Sequence, residues 1–451
     1  MSVSVLVTSC GPGSTPVASS PGVSTPSVPS ASPPISAEWM GYHRDARRAG
    51  VGPSEPALGT PVVAWRAAVD GSVYASPLIV AGHVIVATEN NTVYSLDLFT
   101  GSVVWQSHLG DPVDASSLPC GNIGPVTGIT GTPAADIASN RVFVTAFLRG
   151  AHHMLFALSL TDGSTVWQRQ VDVAGSNPSV QQQRGALAIG SGLVYVPFGG
   201  LYGDCGAYHG YVVAVSLDGA HESDFRVPSA RGAGIWSPQG VTITDDGSVY
   251  VVSGNATSFG SSFDHSDSVM DLSPDLQTVR SYFAPSNWQA LNASDTDLGS
   301  VGATLLPGGL VFALGKEGVG YVLRAGALGG VGGQLVSRKV CSGAWGGTAV
   351  SGSTVLVPCA DGVYALSVSA SSITVAWHAP RPSLGSPIVS AGAVWAIEPS
   401  SATLFALDLS TGSVRFSTSL GGAQQFSTPA ATDGFIVAPA GRAVVALSVV
   451  S

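Results

Sequence analysis

The richest set of chemically useful side chains in this 451-residue chain lies in a glycine-rich loop near its middle. Residues 199–210 read Gly-Gly-Leu-Tyr-Gly-Asp-Cys-Gly-Ala-Tyr-His-Gly, which places Tyr202, Asp204, Tyr208 and His209 close together along the chain. Phenol rings provide stacking surfaces, while the carboxylate and the imidazole provide hydrogen-bond acceptors and donors. A segment that only connects two strands does not require this combination. We therefore predict that the loop binds a ligand.

Four further residues are candidates for a binding or catalytic role, and each also has a purely structural interpretation. They are Trp236, His265, Asp297 and Lys316. Trp236 is able to wedge between packed elements, Asp297 to cap its own loop, and Lys316 to occupy a surface turn. His265, in the run Asp-His-Ser-Asp, belongs either to an ion site or to a solvated turn. The pair His152-His153, just before a strand, is expected to be exposed.

A repeated strand–turn–strand phrase determines the elements that hold these residues. The clearest copies are 93–105, 155–167 and 404–416, each with an alternating strand, a turn ending in Gly and a second strand with an aromatic ring. With the weaker copies, the second residue of the phrase falls at 94, 156, 213, 270, 322, 364, 405 and 445. The last three spacings, 42, 41 and 40 residues, fit a four-stranded propeller blade. Eight copies predict a single all-β, eight-bladed propeller of four-stranded antiparallel blades.

The two ends of the repeat array predict how the ring closes. The eighth copy stops at Ser451, without an outer strand of its own. A matching strand, Val-Val-Ala-Trp-Arg at 62–66, lies far upstream and is similar to the strand at 375–378. We expect this N-terminal strand to complete the last blade, which leaves only short, protected sheet edges. The earlier, longer spacings contain additional loop, and the ligand-binding candidates all lie in those loops of blades three to five.

Charge limits the partners that the protein can have. The chain has 18 Lys plus Arg, scattered singly, against 28 Asp plus Glu, which gives a formal net charge of −10. This balance argues against a nucleic-acid-binding surface. We expect a monomer whose partner is a small-molecule or glycan ligand, or an envelope protein.

The first residues resemble the end of a bacterial lipoprotein signal, in which a short apolar run leads to a cysteine that becomes acylated. The run from residue 3 ends at Cys10; the alternative is a tail with an incidental cysteine. We expect residues 1–10 to be the signal remnant, residues 11–36 a Ser/Pro/Thr-rich tether, and residues 37–451 the propeller. This plan predicts lipidation of Cys10 and an extracytoplasmic protein whose lipid anchor is its one attachment to the bacterial surface.

The other four cysteines predict two disulfides, since an even number in an exported protein favours pairing. Three connectivities are open. Cys341 and Cys359 fall in one blade, which favours their pairing, whereas Cys120 and Cys205 fall in long loops, which favours a bridge between two blades. The sequence has no CxxC and no HxxxH spacing, so no metal site is predicted.

The blade phrase, apolar-x-Ala-Leu-Asp-x-x-Thr-Gly-x-x-x-Trp, resembles the repeat of pyrroloquinoline-quinone (PQQ) propellers. The segment 39–50, with its Trp-x-x-Tyr-x-x-Asp and Arg-x-Gly, is similar to the entry segment of these propellers. The resemblance covers about residues 37–451. The superfamily includes quinoprotein alcohol dehydrogenases and non-catalytic lipoprotein propellers that scaffold outer-membrane assembly, so the resemblance predicts a fold without deciding an activity.

For a dehydrogenase, the resemblance implies that Trp236 stacks on the quinone, Lys316 polarises it and Asp297 takes the alcohol proton. The chain departs from the enzyme pattern at three points. It lacks an adjacent Cys-Cys pair, a Glu plus Asn pair assignable to calcium, and a Cys-x-x-Cys-His haem motif. We therefore favour a non-catalytic, envelope-anchored propeller that requires no cofactor and binds its ligand or partner through the long loops of blades three to five. The alternative is a PQQ- and calcium-dependent alcohol dehydrogenase.

Overall fold

The computed structural model describes residues 1–6, 8–9, 11, 38–52, 58–256, 262–381, 383–432 and 434–449. The chain divides into two units, Met1–Pro34 and Ile35–Ser451. The second unit contains all strands and helices of the described residues. Cys10 and nearly all of the expected tether lie outside the described residues, so lipidation stays a prediction.

Eight mainly four-stranded antiparallel sheets follow one another through the described part of the second unit, which confirms the predicted all-β propeller. Blades 1 to 4 consist of Leu78–Val80, His83–Ala87, Thr92–Asp97 and Val103–His108; Ala134–Asp136, Arg141–Leu148, His152–Ser159 and Thr165–Gln170; Gln181–Gln182, Ala188–Gly190, Leu193–Gly200, Tyr211–Ser216 and Glu222–Arg226; and Thr242–Ile243, Val249–Val252, Val269–Leu272, Val279–Ala284 and Gly330–Val331. Blades 5 to 8 consist of Thr304–Leu306, Leu310–Leu314, Val319–Arg324 and Val336–Lys339; Ala349–Ser351, Thr354–Cys359, Gly362–Ser369 and Ser372–Pro380; Ile388–Ser390, Ala393–Glu398, Thr403–Asp408 and Val414–Ser419; and Ala430–Thr432, Phe435–Pro439, Ala443–Ser448 and Val62–Ala68. The eight copies of the sequence phrase lie on the third strands of these blades, except in blade 3, where the additional strand Gln181–Gln182 makes it the fourth.

The N-terminal strand closes the ring as predicted. Val62–Ala68 pairs antiparallel with Ala443–Ser448, with Trp65 opposite Ala446. The last blade therefore takes its outer strand from the beginning of the propeller unit. This pairing covers a sheet edge that would otherwise expose a row of backbone donors and acceptors.

Tryptophan indoles join neighbouring blades, which explains why the repeat ends in an aromatic residue. The indole N–H of Trp105 in blade 1 donates to the carbonyl of Leu160 in blade 2 at 3.0 Å. Gly163 of the blade 2 turn has φ 72°, and a Cβ there would lie closer than 3.0 Å to the indole of Trp105. The same indole–carbonyl–glycine arrangement recurs three times: Trp65 with Leu98 and Gly101, Trp167 with Leu217 and Gly219, and Trp377 with Leu409 and Gly412. The Gly of each turn is therefore required twice, for its backbone conformation and for the close approach of the indole.

The entry segment 38–52 crosses the centre of the ring. Its backbone hydrogen bonds reach the inner strands of five blades, pairing Trp39 with Ile79, Met40 with Ala135, Ala46 with Ile243, Ala49 with Val350 and Gly52 with Val389. The buried guanidinium of Arg48 donates to the carbonyl oxygens of Val241 at 3.0 Å and Leu187 at 2.8 Å. The segment thus acts as a structural plug that ties the blades together.

The connections outside the blades carry short elements of their own. They are the strand pair Val113–Asp114 and Val126–Thr127, the 3-10 turns Ala115–Ser117, Pro178–Val180 and Leu298–Ser300, and the α-helix Trp288–Ala293. Among the described residues, no helix has the length and apolar character needed to cross a membrane.

The expectation that His152 and His153 form an exposed pair before a strand is wrong: both belong to the strand His152–Ser159, where His152 is half-buried and His153 is buried. The side chain of His153 is only 1% exposed, and its Nδ1 lies 2.8 Å from Asp172 Oδ1. The ring also stacks on Phe147, with centroids 4.2 Å apart. Strand alternation explains the difference, because successive residues of His152–Ser159 point to opposite faces of the sheet.

Candidate functional site

One cavity of about 310 Å³ collects most of the side chains predicted to bind a ligand. Its lining includes Tyr202, Asp204, Tyr208, Trp236, Asp297 and Lys316, together with Asn122, Gln182, Arg184, Asn255, Asp295, Trp345, Gln425 and Phe426. These residues come from connections of several blades, and the three that the resemblance assigns to quinone chemistry share the cavity. The volume lies at the lower end of the range for small-molecule sites.

Glycines around Trp236 hold its indole at the cavity wall. The backbone N–H of Ile235 donates to Phe198 O at 3.1 Å, and that of Gly254 donates to Gly234 O at 2.9 Å. A Cβ on Gly199 would lie 2.7 Å from the Cβ of Trp236, and a Cβ on Gly254 would lie 3.1 Å from its Nε1. The chain therefore needs glycine at these positions for Trp236 to face the cavity.

A short network fixes the carboxylate of Asp297. Its Oδ1 accepts the backbone N–H of Asn255 at 2.6 Å, and its backbone carbonyl accepts the N–H of Lys316 at 2.8 Å. The Lys316 ammonium forms ion pairs with Asp297 Oδ2 and with Asp295 Oδ1, the latter at 3.0 Å. Lys316 Nζ also lies 5.6 Å from the centre of the Trp236 ring, a cation–π distance. Trp236, Asp297 and Lys316 thus form one contact group.

Burial and the Lys316 ammonium have opposite effects on the pKa of Asp297. Its side chain is 4% exposed, and this burial raises the pKa of Asp297 above its ordinary value, while Lys316 and the N–H of Asn255 lower it. Burial lowers the pKa of Lys316, but the two carboxylates outweigh burial and raise it. Behind Asp297 lies a second buried acid, Asp267, whose pKa is raised by burial and by the charge of Asp297. Lys316 is therefore the main group that favours the ionised form of Asp297.

The glycine-rich loop forms a further part of the cavity wall. Tyr202 is 67% exposed at the rim, and Tyr208 is 4% exposed. Burial and the neighbouring carboxylate of Asp204 raise the pKa of Tyr208, so this phenol remains protonated and able to donate a hydrogen bond. A disulfide between Cys205 and Cys120 joins this loop to the connection after blade 1, with Cα atoms 6.1 Å apart.

The second disulfide, Cys341–Cys359, supports the other side of the cavity. Cys359 ends a strand of blade 6, and Cys341 lies in the loop that leads into that blade, so the predicted pairing of these two cysteines is confirmed. The N–H of Cys341 donates to Gly318 O at 3.3 Å, next to the turn that carries Lys316. Trp345 of the same connection lines the cavity. Both disulfides therefore lie beside segments that form the cavity wall.

Two of the predicted binding residues lie outside this cavity. His209 is 7% exposed and forms a hydrogen bond with Arg226, with its ring 6.0 Å from that of Tyr211. His265 packs against Phe263 and Tyr282, with ring centroids 4.8 and 4.6 Å away. Both imidazoles have a pKa lowered by burial, which favours the neutral form. The structure therefore separates the two histidines from the other candidates.

Sequence reasoning missed two residues that shape the cavity, Arg184 and Phe426. The Arg184 guanidinium carbon lies 5.4 Å from the ring centre of Phe426, and the Phe426 ring lies 6.5 Å from that of Trp236. Phe426 adopts φ 69°, a conformation unusual for a bulky residue and one that often marks a functional site. No local pattern identifies Phe426, which precedes blade 8. Arg184 follows three glutamines, and a polar run at the start of a blade was the available signal.

The residues fit a quinone better than they fit calcium. Trp236 offers a stacking face and Arg184 offers positive charge, which suit a planar ring that carries a carboxylate. Among the described residues, no group of three or more His, Cys, Asp or Glu side chains is arranged to hold a metal ion. The Lys316 ammonium also pairs with both Asp295 and Asp297. The arrangement therefore does not fit the implied calcium site, and we derive no chemistry from it.

Comparisons with known proteins agree with the propeller fold. The family model of the outer membrane protein assembly factor BamB, a PQQ-repeat family, matches residues 60–123 and 130–281. A search of curated protein sequences gives no match. These residues carry a repeat of the PQQ type. They include the N-terminal strand and the first three blades of the propeller, together with most of the fourth.

Solved structures agree with this fold at low sequence identity. The quinohemoprotein alcohol dehydrogenase ADHIIG of Pseudomonas putida HK5 is 13% identical, with a TM-score of 0.74 over 92% of this chain and 80% of the other. A europium-containing methanol dehydrogenase is 14% identical, with a TM-score of 0.68 over 89% of each chain. BamB from Moraxella catarrhalis is 13% identical, with a TM-score of 0.56 over 86% of this chain and 98% of the other. At these identities, the likeness establishes the propeller and leaves the function to the site.

Proposed function

We propose that this PQQ-type propeller is an extracytoplasmic binding protein whose ligand is a small polar ring compound held in the cavity. The observation that carries the proposal is the convergence of Trp236, Lys316 and Asp297 on one cavity. Aromatic faces beside a few directed polar groups are the usual composition of a small-molecule site. The amides of Gln182 and Asn255 in the same lining suit hydroxyl or carbonyl groups on a ring.

Location outside the cytoplasm is supported by two features. The structure contains two disulfides, which persist in oxidising compartments. The matching family model is described as an outer membrane protein assembly factor. We propose in addition that the chain is anchored in the cell envelope through Cys10, on the basis of the apolar run that precedes this residue.

A thermal-shift panel tests the binding function. The panel contains PQQ, calcium alone, PQQ with calcium, and neutral mono- and disaccharides. A ligand present at a hundredfold its dissociation constant adds about 2.7 kcal/mol to the free energy of unfolding, which gives a measurable rise in Tm. Trp236→Leu should reduce that stabilisation to about 1.4 kcal/mol at the same ligand concentration, the value for a tenfold weaker ligand. A panel in which no compound raises Tm, tested up to millimolar concentration, would favour a protein partner in the envelope instead.

A second candidate function is PQQ-dependent alcohol oxidation. It is supported by the contact group of Trp236, Asp297 and Lys316, which matches the roles implied by the repeat resemblance. Bound quinone would accept the hydride, and Asp297 would accept the hydroxyl proton, provided that Lys316 keeps it ionised. The ion pairs of Lys316 with Asp295 and Asp297 count against the calcium-dependent form of this function.

Dye-linked oxidation of primary alcohols by protein incubated with PQQ, with and without calcium, separates the two functions. Activity that disappears in Asp297→Asn would establish the dehydrogenase. Binding of PQQ or a sugar without any oxidation would leave the binding protein as the function.

A further inference from the structure

Arg184 is the one cation of the described cavity lining that forms no ion pair with a carboxylate. Its hydrogen bond is a long one, from Nη2 to Asn122 Oδ1 at 3.5 Å, and its guanidinium lies over Phe426. A guanidinium has five N–H donors in a planar fork that matches a carboxylate. Burial lowers the pKa of Arg184, which reflects the cost of holding this charge at the cavity wall. An anion bound to the fork would offset that cost.

Glu89 is the acid whose charge acts most strongly on Arg184, but its carboxylate oxygens accept hydrogen bonds from other groups. Glu89 accepts the backbone N–H of Gly128 at 2.6 Å through Oε2 and the hydroxyl of Thr130 at 2.9 Å through Oε1. Burial raises the pKa of Glu89 to about 7, so this carboxyl is largely neutral below that pH. No ion pair joins Glu89 to Arg184 within the described residues.

The other cation of the lining is already neutralised. Lys316 pairs with Asp295 and Asp297. The contacts run from Arg184 to Phe426, then to Trp236, and then to Lys316. The cavity wall is therefore polarised, with an unpaired positive group at one end, aromatic faces in the middle and a paired cation at the other end.

We propose that the ligand carries a carboxylate that binds the guanidinium of Arg184, with its ring against Phe426 and Trp236. This inference rests on the proposed binding function and names the ligand class. A single carboxylate suits the site better than a phosphate dianion, because Asp204, Asp295 and Asp297 line the same cavity. A uronic acid of a glycan has this chemistry, whereas PQQ carries three carboxylates, which the same three aspartates disfavour.

Matched acid and neutral probes test the inference by calorimetric titration. One arm compares D-glucuronate with D-glucuronamide, and the other compares PQQ with its trimethyl ester. In the glucuronate arm, we expect the acid to bind the wild type about tenfold or more tightly than its neutral partner. Arg184→Gln should remove this preference, and a preference found in the PQQ arm alone would overturn the choice of a single carboxylate.

Arg381→Gln is the matched control, because the Arg381 guanidinium also lies over a phenylalanine ring, that of Phe405, at 4.3 Å, but outside the cavity lining. It should keep the preference for the acid. Equal binding of acid and neutral probe, or a preference that survives in Arg184→Gln, would overturn the inference while leaving the binding function intact. Tighter binding of glucose 1-phosphate than of glucuronate would overturn the choice of carboxylate. If neither acid binds, the inference is wrong, and the panel of neutral sugars decides separately whether the cavity binds a ligand.

Discussion

Replacing Lys316 by methionine should destabilise the fold in a pH-dependent way. The substitution keeps the length of the side chain and removes the charge that faces Asp297, which is 4% exposed. Only the N–H of Asn255 would then remain as a direct partner of that carboxylate. Removing one partner of a fully buried pair costs about 3–5 kcal/mol; the side chain of Lys316 is 19% exposed, so we expect about 2–3 kcal/mol.

The sign of the pH dependence follows from the pKa of Asp297. Without Lys316, burial raises that pKa further above its unfolded value, so the folded state binds a proton that the unfolded state has released. Stability is then lost as pH rises through the folded pKa. Urea unfolding of wild type and Lys316→Met should therefore show a larger difference in unfolding free energy at pH 8 than at pH 5.

Two further variants sharpen this test. Asp297→Asn in the Lys316→Met background removes the uncompensated charge and should recover most of the loss. Lys339→Met removes an exposed lysine of the same blade and should change stability by no more than about 0.5 kcal/mol. An equal deficit at both pH values, or an equal effect of Lys339→Met, would refute the buried-pair reasoning.

The remaining predictions concern an inter-blade glycine, the two disulfides and the buried carboxyl of Glu89. Gly163→Ala should lower Tm more than Gly192→Ala, because both residues have positive φ but only a Cβ on Gly163 meets an indole. Removing the Cys120–Cys205 disulfide, which spans 85 residues, should lower the unfolding free energy by about 1.4 kcal/mol more than removing the other, which spans 18, by the loop-entropy relation; equal losses would show that strain or residual structure dominates. Burial raises the pKa of Glu89 from 4.5 to about 7, so wild type should lose about 3 kcal/mol relative to Glu89→Gln as pH rises through that window. Parallel pH–stability curves of the two proteins would contradict that shift.

The fold was predictable because the repeat encodes local structure and neighbour packing together. The phrase places a strand, a Gly turn and an aromatic residue in every clear copy, and the structure brings the turn Gly of each copy against a Trp of the neighbouring blade. Closure was predictable because Trp65 lies in a strand that matches the other outer strands. The burial of His153 was not, since the chain alone does not show that the histidine pair belongs to the strand and not to the loop before it.

The candidate site was predictable in part. Trp236, Asp297 and Lys316 stood out by their motifs, and the structure brings them into contact. His209 stood out for its neighbours in sequence, but it lies next to Arg226 because its orientation depends on the strand that follows the loop. Arg184 and Phe426 meet across 242 residues of sequence, from 184 to 426, so only the closed ring reveals their contact.

The most direct test of the account is the stoichiometry and location of ligand binding. Calorimetric titration with PQQ and with D-glucuronate should show at least one of them binding once per chain. Trp236→Leu should weaken that binding by about tenfold, while Phe416→Leu, an aromatic substitution on an outer strand away from the cavity, should leave it unchanged. Binding that is indifferent to Trp236, in a variant whose Tm matches the wild type, would contradict the claim that this cavity is the functional site.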